Sequence, residues 1–236
     1  MTLLAVALSP ALAACDSTQE KNERAKLAAL REISGREPQR VTKANPDVEV
    51  VRADLVRGGG RSAVVVDLRS RAAKPITDAP IEVGVRRGSR TVILNAGKDL
   101  PWFRTHVPAI PAGGTATWVL SVPLGRRTRP TDRAVVRVGI PGGKVVSTAV
   151  SVPKLDAALA GAKAGKVRTR VRNTSGVTQF GLQLYAVAKT GDRYVAAGSA
   201  TVGALEQDKE RTVSITLTGE QGNAPLRVLA APTIFR

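Results

Sequence analysis

From Asp47 onward the chain has no helical period. Short alternating runs follow one another instead: VEVVRADLV, RSAVVVDLRS, APIEVGVR, RTVILNAG, GTATWVLSVP and RAVVRVGI. Each is rich in Val, Ile, Thr or Trp and is closed by Gly, Pro, Asn or Asp, residues that end strands and turn the chain. Strands recurring at intervals of about ten residues, with no helices between them, predict antiparallel sandwiches.

The second half of this pattern repeats the first. VVVDLRSRA at 64–72 corresponds to TRVRNTSGV at 169–177, and VPAIPAGGTATWVLSV at 107–122 to ATVGALEQDKERTVSITL near 200–217. AVVRVGIP at 134–141 corresponds to APLRVLAAP at 224–232. The three matches keep their order while their offset shrinks, so the first copy has the longer loops. The boundary falls near PGGK at 141–144, giving domains at 47–142 and 143–236, each of ordinary size for a seven-stranded sandwich.

Within the second copy, VRNTSGVTQFGLQLYAVAKTGDRYVAAGSATVGAL resembles the bacterial FxLYD-type immunoglobulin-like domains of envelope proteins. The likeness rests on Asn173-Thr174-Ser175 at a strand end, on the alternation of Phe180, Leu182, Leu184 and Tyr185, and on a Gly191-Asp192 hairpin. It implies a fold and carries no site residue across.

The first residues are of another kind. From Leu3 to Ala14 the chain is small and apolar, a length too short to span a bilayer, which takes about 20 such residues. It ends in Leu12-Ala13-Ala14-Cys15 and resembles the bacterial lipobox, where signal peptidase II cuts before a cysteine carrying diacylglycerol on its sulfur. The resemblance implies a leader over 1–14 and an acylated Cys15, whose two or three acyl tails anchor stably where one would be marginal. One feature departs from the pattern: Met1-Thr2 carries no lysine or arginine. The alternative is an ordinary apolar helix with a buried cysteine. Cys15 is the only cysteine, so the acylated chain would hold no free thiol, as suits an oxidising envelope.

After Cys15, DSTQEKNERAKLAALREISG favours a helix with Ser17 as N-cap, Glu20 in the capping-box position and Gly35 as its stop. Its apolar stripe of Leu27, Leu30 and Ile33 is thin, and REPQRVTKANP beyond it reads as an extended linker. Residues 15–46 thus read as an anchor and stalk, or as a helix packed on the first domain.

The formal net charge is +17, which selects for anionic partners: nucleic acid, anionic lipid or an envelope polyanion. Aromatic residues make up only 3%, too few for a surface of base-stacking platforms, which counts against nucleic acid. The sharpest basic feature is KVRTRVR. There Lys166, Arg168, Arg170 and Arg172 alternate with Val167, Thr169 and Val171, so a strand would put four cations on one face. That row could bind phosphates, or it could be a solvated outer face guarding an edge. Arg126, Arg127 and Arg129, in RRTRPTDR, form a second candidate for anions. PWFRTH places Trp102 and Phe103 in a loop, either as an exposed contact patch or as a cap on the first domain's core.

Catalytic and metal chemistry find little to work with. His106 is the only histidine, read as an exposed residue beside Trp102 and Phe103, and a triad would have no other imidazole base. Glu206, Asp208 and Glu210 read as a solvated turn and strand edge. GIPGGK lacks the glycine and the Ser or Thr of a phosphate loop. The expectation is therefore an all-β lipoprotein with two tandem immunoglobulin-like antiparallel β-sandwiches after a short signal and stalk helix. It would be non-enzymatic and cofactor-free, anchored by Cys15 to the outer face of the cytoplasmic membrane, and would contact anionic envelope polymers, lipids or a protein. The alternative is a soluble, basic nucleic-acid-binding protein.

Overall fold

Two runs that depart from alternation organise the structure, Ala63-Val64-Val65-Val66 and Leu182 to Ala188, because a strand apolar on both sides must be covered on both sides. The structure is a computed structural model that describes residues 41–97, 100–122, 129, 131–142 and 152–233. The leader, Cys15 and the expected helix lie outside the described residues.

In the first half, β1 (Val48–Gly58), β2 (Arg61–Ser70) and β6 (Thr115–Val122) form one sheet with β2 at its centre. Against it lies β3 (Ile76–Arg87), which pairs with β5 (His106–Ile110) early and with β7 (Arg133–Val138) and β4 (Arg90–Ile93) late. In the second half, β8 (Leu155–Lys163), β9 (Lys166–Asn173) and β12 (Glu210–Thr216) form a three-stranded sheet centred on β9. It faces a sheet ordered β13 (Thr218–Gly219), β11 (Arg193–Leu205), β10 (Gln179–Thr190), β14 (Leu226–Ala231). All pairings are antiparallel, so the chain is an all-β fold of two sandwiches. The halves share a plan: β2 and β9 sit at the centre of three-stranded sheets, and β7 and β14 return to pair with β3 and β10, while β11 takes the place of β4 and β5.

The sandwiches then stack on each other. Val64, Val66 and Leu68 of β2 pack toward β3, while Ala63, Val65 and Asp67, on the opposite face, look at the second sandwich. On β10, Leu182, Leu184, Ala186 and Ala188 fill the second core. Tyr185 and Val187, pointing the other way, join Ala197 of β11 in the core cluster of the first half. One apolar cluster therefore runs through the seam.

Polar groups fix its register. The Tyr194 hydroxyl donates to the Asp67 carboxylate at 2.8 and 3.0 Å, and the Tyr194 backbone N–H donates to Asp54 at 3.0 Å. Thr117 also donates to Asp67, at 2.8 Å, and Ser199 meets Ser121 at 3.2 Å. Burial and the Asp67 carboxylate together push the Tyr194 phenol up to about 12, so it stays a donor.

Residues 41–46, expected as the end of a free linker, belong to this body. Val41 is buried, Ala44 bridges Gly139, and the Asn45 N–H donates to the Val138 carbonyl at 2.8 Å. Buried Val41 has an apolar wall to lie on, which a solvated stalk would lack.

At one point the seam is backbone on backbone. A Cβ at Gly58 would lie 2.6 Å from the Gly219 nitrogen. Gly219 has φ +87°, and a Cβ there would lie 2.6 Å from a Val56 methyl and nearer still to the Val195 carbonyl. Gly219→Ala is expected to destabilise by about 1–3 kcal/mol, combining positive φ with overpacking. Gly222→Ala has φ +52° and open space, so it isolates the φ component. Thermal melts should show the larger fall for Gly219→Ala; equal falls would mean that the close approach is not tight.

Candidate functional site

Strand β9 carries the basic row, and its burial alternates residue by residue: Val167, Thr169, Val171 and Asn173 are buried, while Lys166, Arg168, Arg170 and Arg172 are exposed. Asn173 ends the strand by donating through Nδ2 to the Val177 and Leu205 carbonyls at 2.8 and 2.9 Å. Successive cations are two residues apart, about 7 Å on a strand, so the row spans about 20 Å.

The row's neighbours divide it. Arg172 faces Glu210 on β12 and Asp156 on β8, and the Arg170 Nε lies 3.4 Å from Glu210. This pair is about half exposed, so it contributes little. At the other end the cross-strand neighbours of Arg168 are Ser214 and Gly161, and those of Lys166 are Thr216 and Lys163. Lys163 and Lys166 flank the tight Ala164-Gly165 turn, placing like charges directly opposite, an arrangement that disfavours the fold and that a bound anion relieves. The result is a flat outward face, cationic at the hairpin end and partly neutralised at the Arg172 end.

The second candidate is less clear-cut. Arg126 and Arg127 lie outside the described residues. Arg129 is exposed, and its backbone N–H donates to Asp132 at 2.7 Å. The Asp132 side chain, wholly shielded from solvent, takes a two-point contact from Arg87: Nε to Oδ1 at 3.1 Å and Nη2 to Oδ2 at 2.8 Å. Arg57 donates to the Asp132 carbonyl at 2.9 Å. Acid and guanidinium hold this loop to β3, and the Arg87 hydrogen bonds with the Arg129 N–H bring the Asp132 carboxyl down to about 2.

Of the two readings of Trp102 the structure shows the buried one, and His106 corrects its expected exposure. Trp102 is 4% exposed, so it does not form an exposed patch with the half-buried Phe103. Its indole N–H donates to Asp78 at 2.6 Å, and its ring stacks on His106 with centroids 5.6 Å apart. His106 is likewise buried, with Nδ1 2.9 Å from the Thr105 hydroxyl and Nε2 4.0 Å from Asp78. The short 3-10 turn Trp102–Arg104 folds these rings under β3, where their apolar area is covered. Glu206, Asp208 and Glu210 are exposed around the turn from β11 to β12, and no group of three or more metal-capable side chains occurs among the described residues.

What sequence reasoning missed is the seam of Asp54, Asp67, Thr117 and Tyr194. Its signal was present in the unbroken apolar runs of β2 and β10, which mark strands covered on both faces.

No protein-family model matches the chain, and no curated protein matches it. Among solved structures, a red sea bream transglutaminase aligns with 94% of the chain at 13% identity and a TM-score of 0.20. The chain spans 34% of that protein's length, and a likeness this weak carries no argument.

Asp132 gives a pH prediction. Its folded pKa lies below the unfolded value, so its stabilisation is complete above about 4 and is lost as pH falls through about 2. Asp132→Asn should lower the melting temperature at neutral pH, and the gap to wild type should close between about pH 4 and pH 2, followed by circular dichroism. A gap unchanged across that window would assign the effect to something other than the carboxylate charge.

Proposed function

We propose that the chain is a lipid-anchored envelope protein acting as a non-enzymatic binding module, held by acyl groups on Cys15 at the outer face of the cytoplasmic membrane. The observation that carries the binding half of this reading is the exposed row of Lys166, Arg168, Arg170 and Arg172, with Lys163 beside it. The anchor rests on Leu12-Ala13-Ala14-Cys15 and on the small apolar stretch before it. Anchoring confines the basic face to one surface and raises its effective concentration for anionic polymer or lipid headgroups there. Each basic group close to an anionic surface contributes about 1 kcal/mol, and added salt weakens it.

Fractionation of a bacterial host expressing the full chain tests the anchor. Wild type should be found in the membrane, lighter by the leader and heavier by acyl groups in its intact mass, and Cys15→Ala should lose that form. Both proteins staying soluble at full-length mass would overturn the anchor and move the search to nucleic acid.

Sedimentation with phosphatidylglycerol vesicles tests the face, using Cys15→Ala so that no acyl group contributes. Replacing the four row cations by Gln should weaken low-salt binding at least about tenfold. A replacement that leaves binding unchanged would remove the row from the reading.

A further inference from the structure

Along the seam, β6 of the first sandwich and β14 of the second leave a trough made of two clefts. The first, about 500 Å³, is lined chiefly by apolar groups, including Pro108, Trp118, Tyr185, Ala231 and Pro232. The second, about 890 Å³, contains Lys189, Arg227 and Tyr194, with one acid, Glu220. Thr117 and Leu229 wall both. Strand register orders the contents: Tyr185 pairs with Leu229, Val187 with Arg227, and Gln183 with Ala231. From Ala231 to Arg227 is four residues, about 13 Å at about 3.3 Å per residue. The trough is thus mostly apolar at the Ala231 end, where Lys154 and Asp156 are its only charged groups, and mainly cationic at the Arg227 end.

Tyr185, opposite Leu229 and so midway along this register, lines the first cleft. The side chain is 1% exposed, and its oxygen has no hydrogen-bond partner among the described residues. A buried hydroxyl left unpaired is unfavourable, and it is held neutral here because burial raises its pKa. A ligand supplying an acceptor oxygen at mid-trough would satisfy it. Arg227, two residues further along the register, and Lys189, four residues beyond Tyr185 on β10, offer charge. The Lys189 ammonium lies 5.0 Å from the centroid of the Tyr194 ring, and Tyr194 is itself fixed by Asp67. Concave, mostly apolar walls with a few converging polar groups are what small-ligand sites share.

We propose that this trough binds a single-chain acyl ester with an anionic headgroup. Its acyl tail lies between Pro108, Trp118 and Pro232, its ester oxygen accepts from Tyr185, and its anion meets Lys189 and Arg227. Lys166, Arg168 and Arg170 line neither cleft, although the first cleft reaches Asp156, the cross-strand neighbour of Arg172.

Titration calorimetry of the full chain with decanoyl lysophosphatidate, below its micellar concentration, tests this beside neutral monodecanoylglycerol. One site is expected, with the phosphate ester about tenfold tighter than the neutral ester, as charge-assisted hydrogen bonds imply. Lys189→Ala with Arg227→Ala should erase that preference and leave the neutral ester unaffected. Ala231→Trp should abolish binding of both, and Ala109→Leu, at the half-exposed rim, gives the same test should the larger side chain prevent folding. Tyr185→Phe should weaken both ligands several-fold while raising the melting temperature of the unliganded chain, a pair of opposite signs that a purely structural hydroxyl would not give. Binding unmoved by the filling variants, or a phosphate preference that survives loss of both cations, overturns the proposal. So does binding lost on Arg168→Gln with Arg170→Gln, which would place the amphiphile on the face of β9 instead.

Discussion

The seam between β2 and β10 is the constraint on which the other features depend. Each strand belongs to a sheet covered on both sides, so the inner sheets can present side chains to a partner only along their margins. Only outer surfaces and the margins of the seam remain for binding. Tyr194 closes the contact by engaging Asp54 through its backbone and Asp67 through its ring hydroxyl, two acids on adjacent strands of the opposing sheet. Because those bonds require a particular alignment, the seam holds the sandwiches in one register, and the clefts along its margin take their shape from that register.

Four aspartates are occupied in this structure by folding work. Asp54 and Asp67 accept across the seam, Asp78 accepts from Trp102, and Asp132 anchors its loop to Arg87. Arginines and lysines, by contrast, stand largely on the surface. Among the described residues, no acid lies on the strand positions directly opposite Lys166 and Arg168, so the Lys163 and Lys166 hairpin is locally cationic.

What could be read in advance follows from how local each signal was. The alternation of KVRTRVR sets which side chains face out, because a strand buried on one side imposes a period of two, and β9 obeys it at every position. His106 differs from its expected exposure, and the two readings of Trp102 stayed open, because the loop flanked by Pro101 looks solvated in sequence. Their burial depends on Asp78, some two dozen residues earlier, supplying an acceptor beneath β3. The linker end at 41–46 was misjudged for a similar reason, since Val41 and Asn45 find their partners near Val138 and Gly139. The seam is the longest-range feature, joining residues such as Asp67 and Tyr194 that no short window contains, and only its apolar runs left a trace.

The two sandwiches are equivalent units that meet through non-equivalent sheets: the sheet centred on β2 in the first and the sheet of β10 in the second, while β9, the counterpart of β2, faces outward. In the aligned repeats, Ala63, Val65 and Asp67, which look into the seam, fall opposite Arg168, Arg170 and Arg172. A contact between unlike faces of like units has no intrinsic end: each added unit would offer a fresh copy of the receiving surface, and such head-to-tail stacking grows into filaments. In the second unit the positions equivalent to Ala63, Val65 and Asp67 carry guanidinium groups. The row on β9 thus makes the outer face of the second sandwich unlike the face of β2 that receives it, so the same packing could not simply be repeated there.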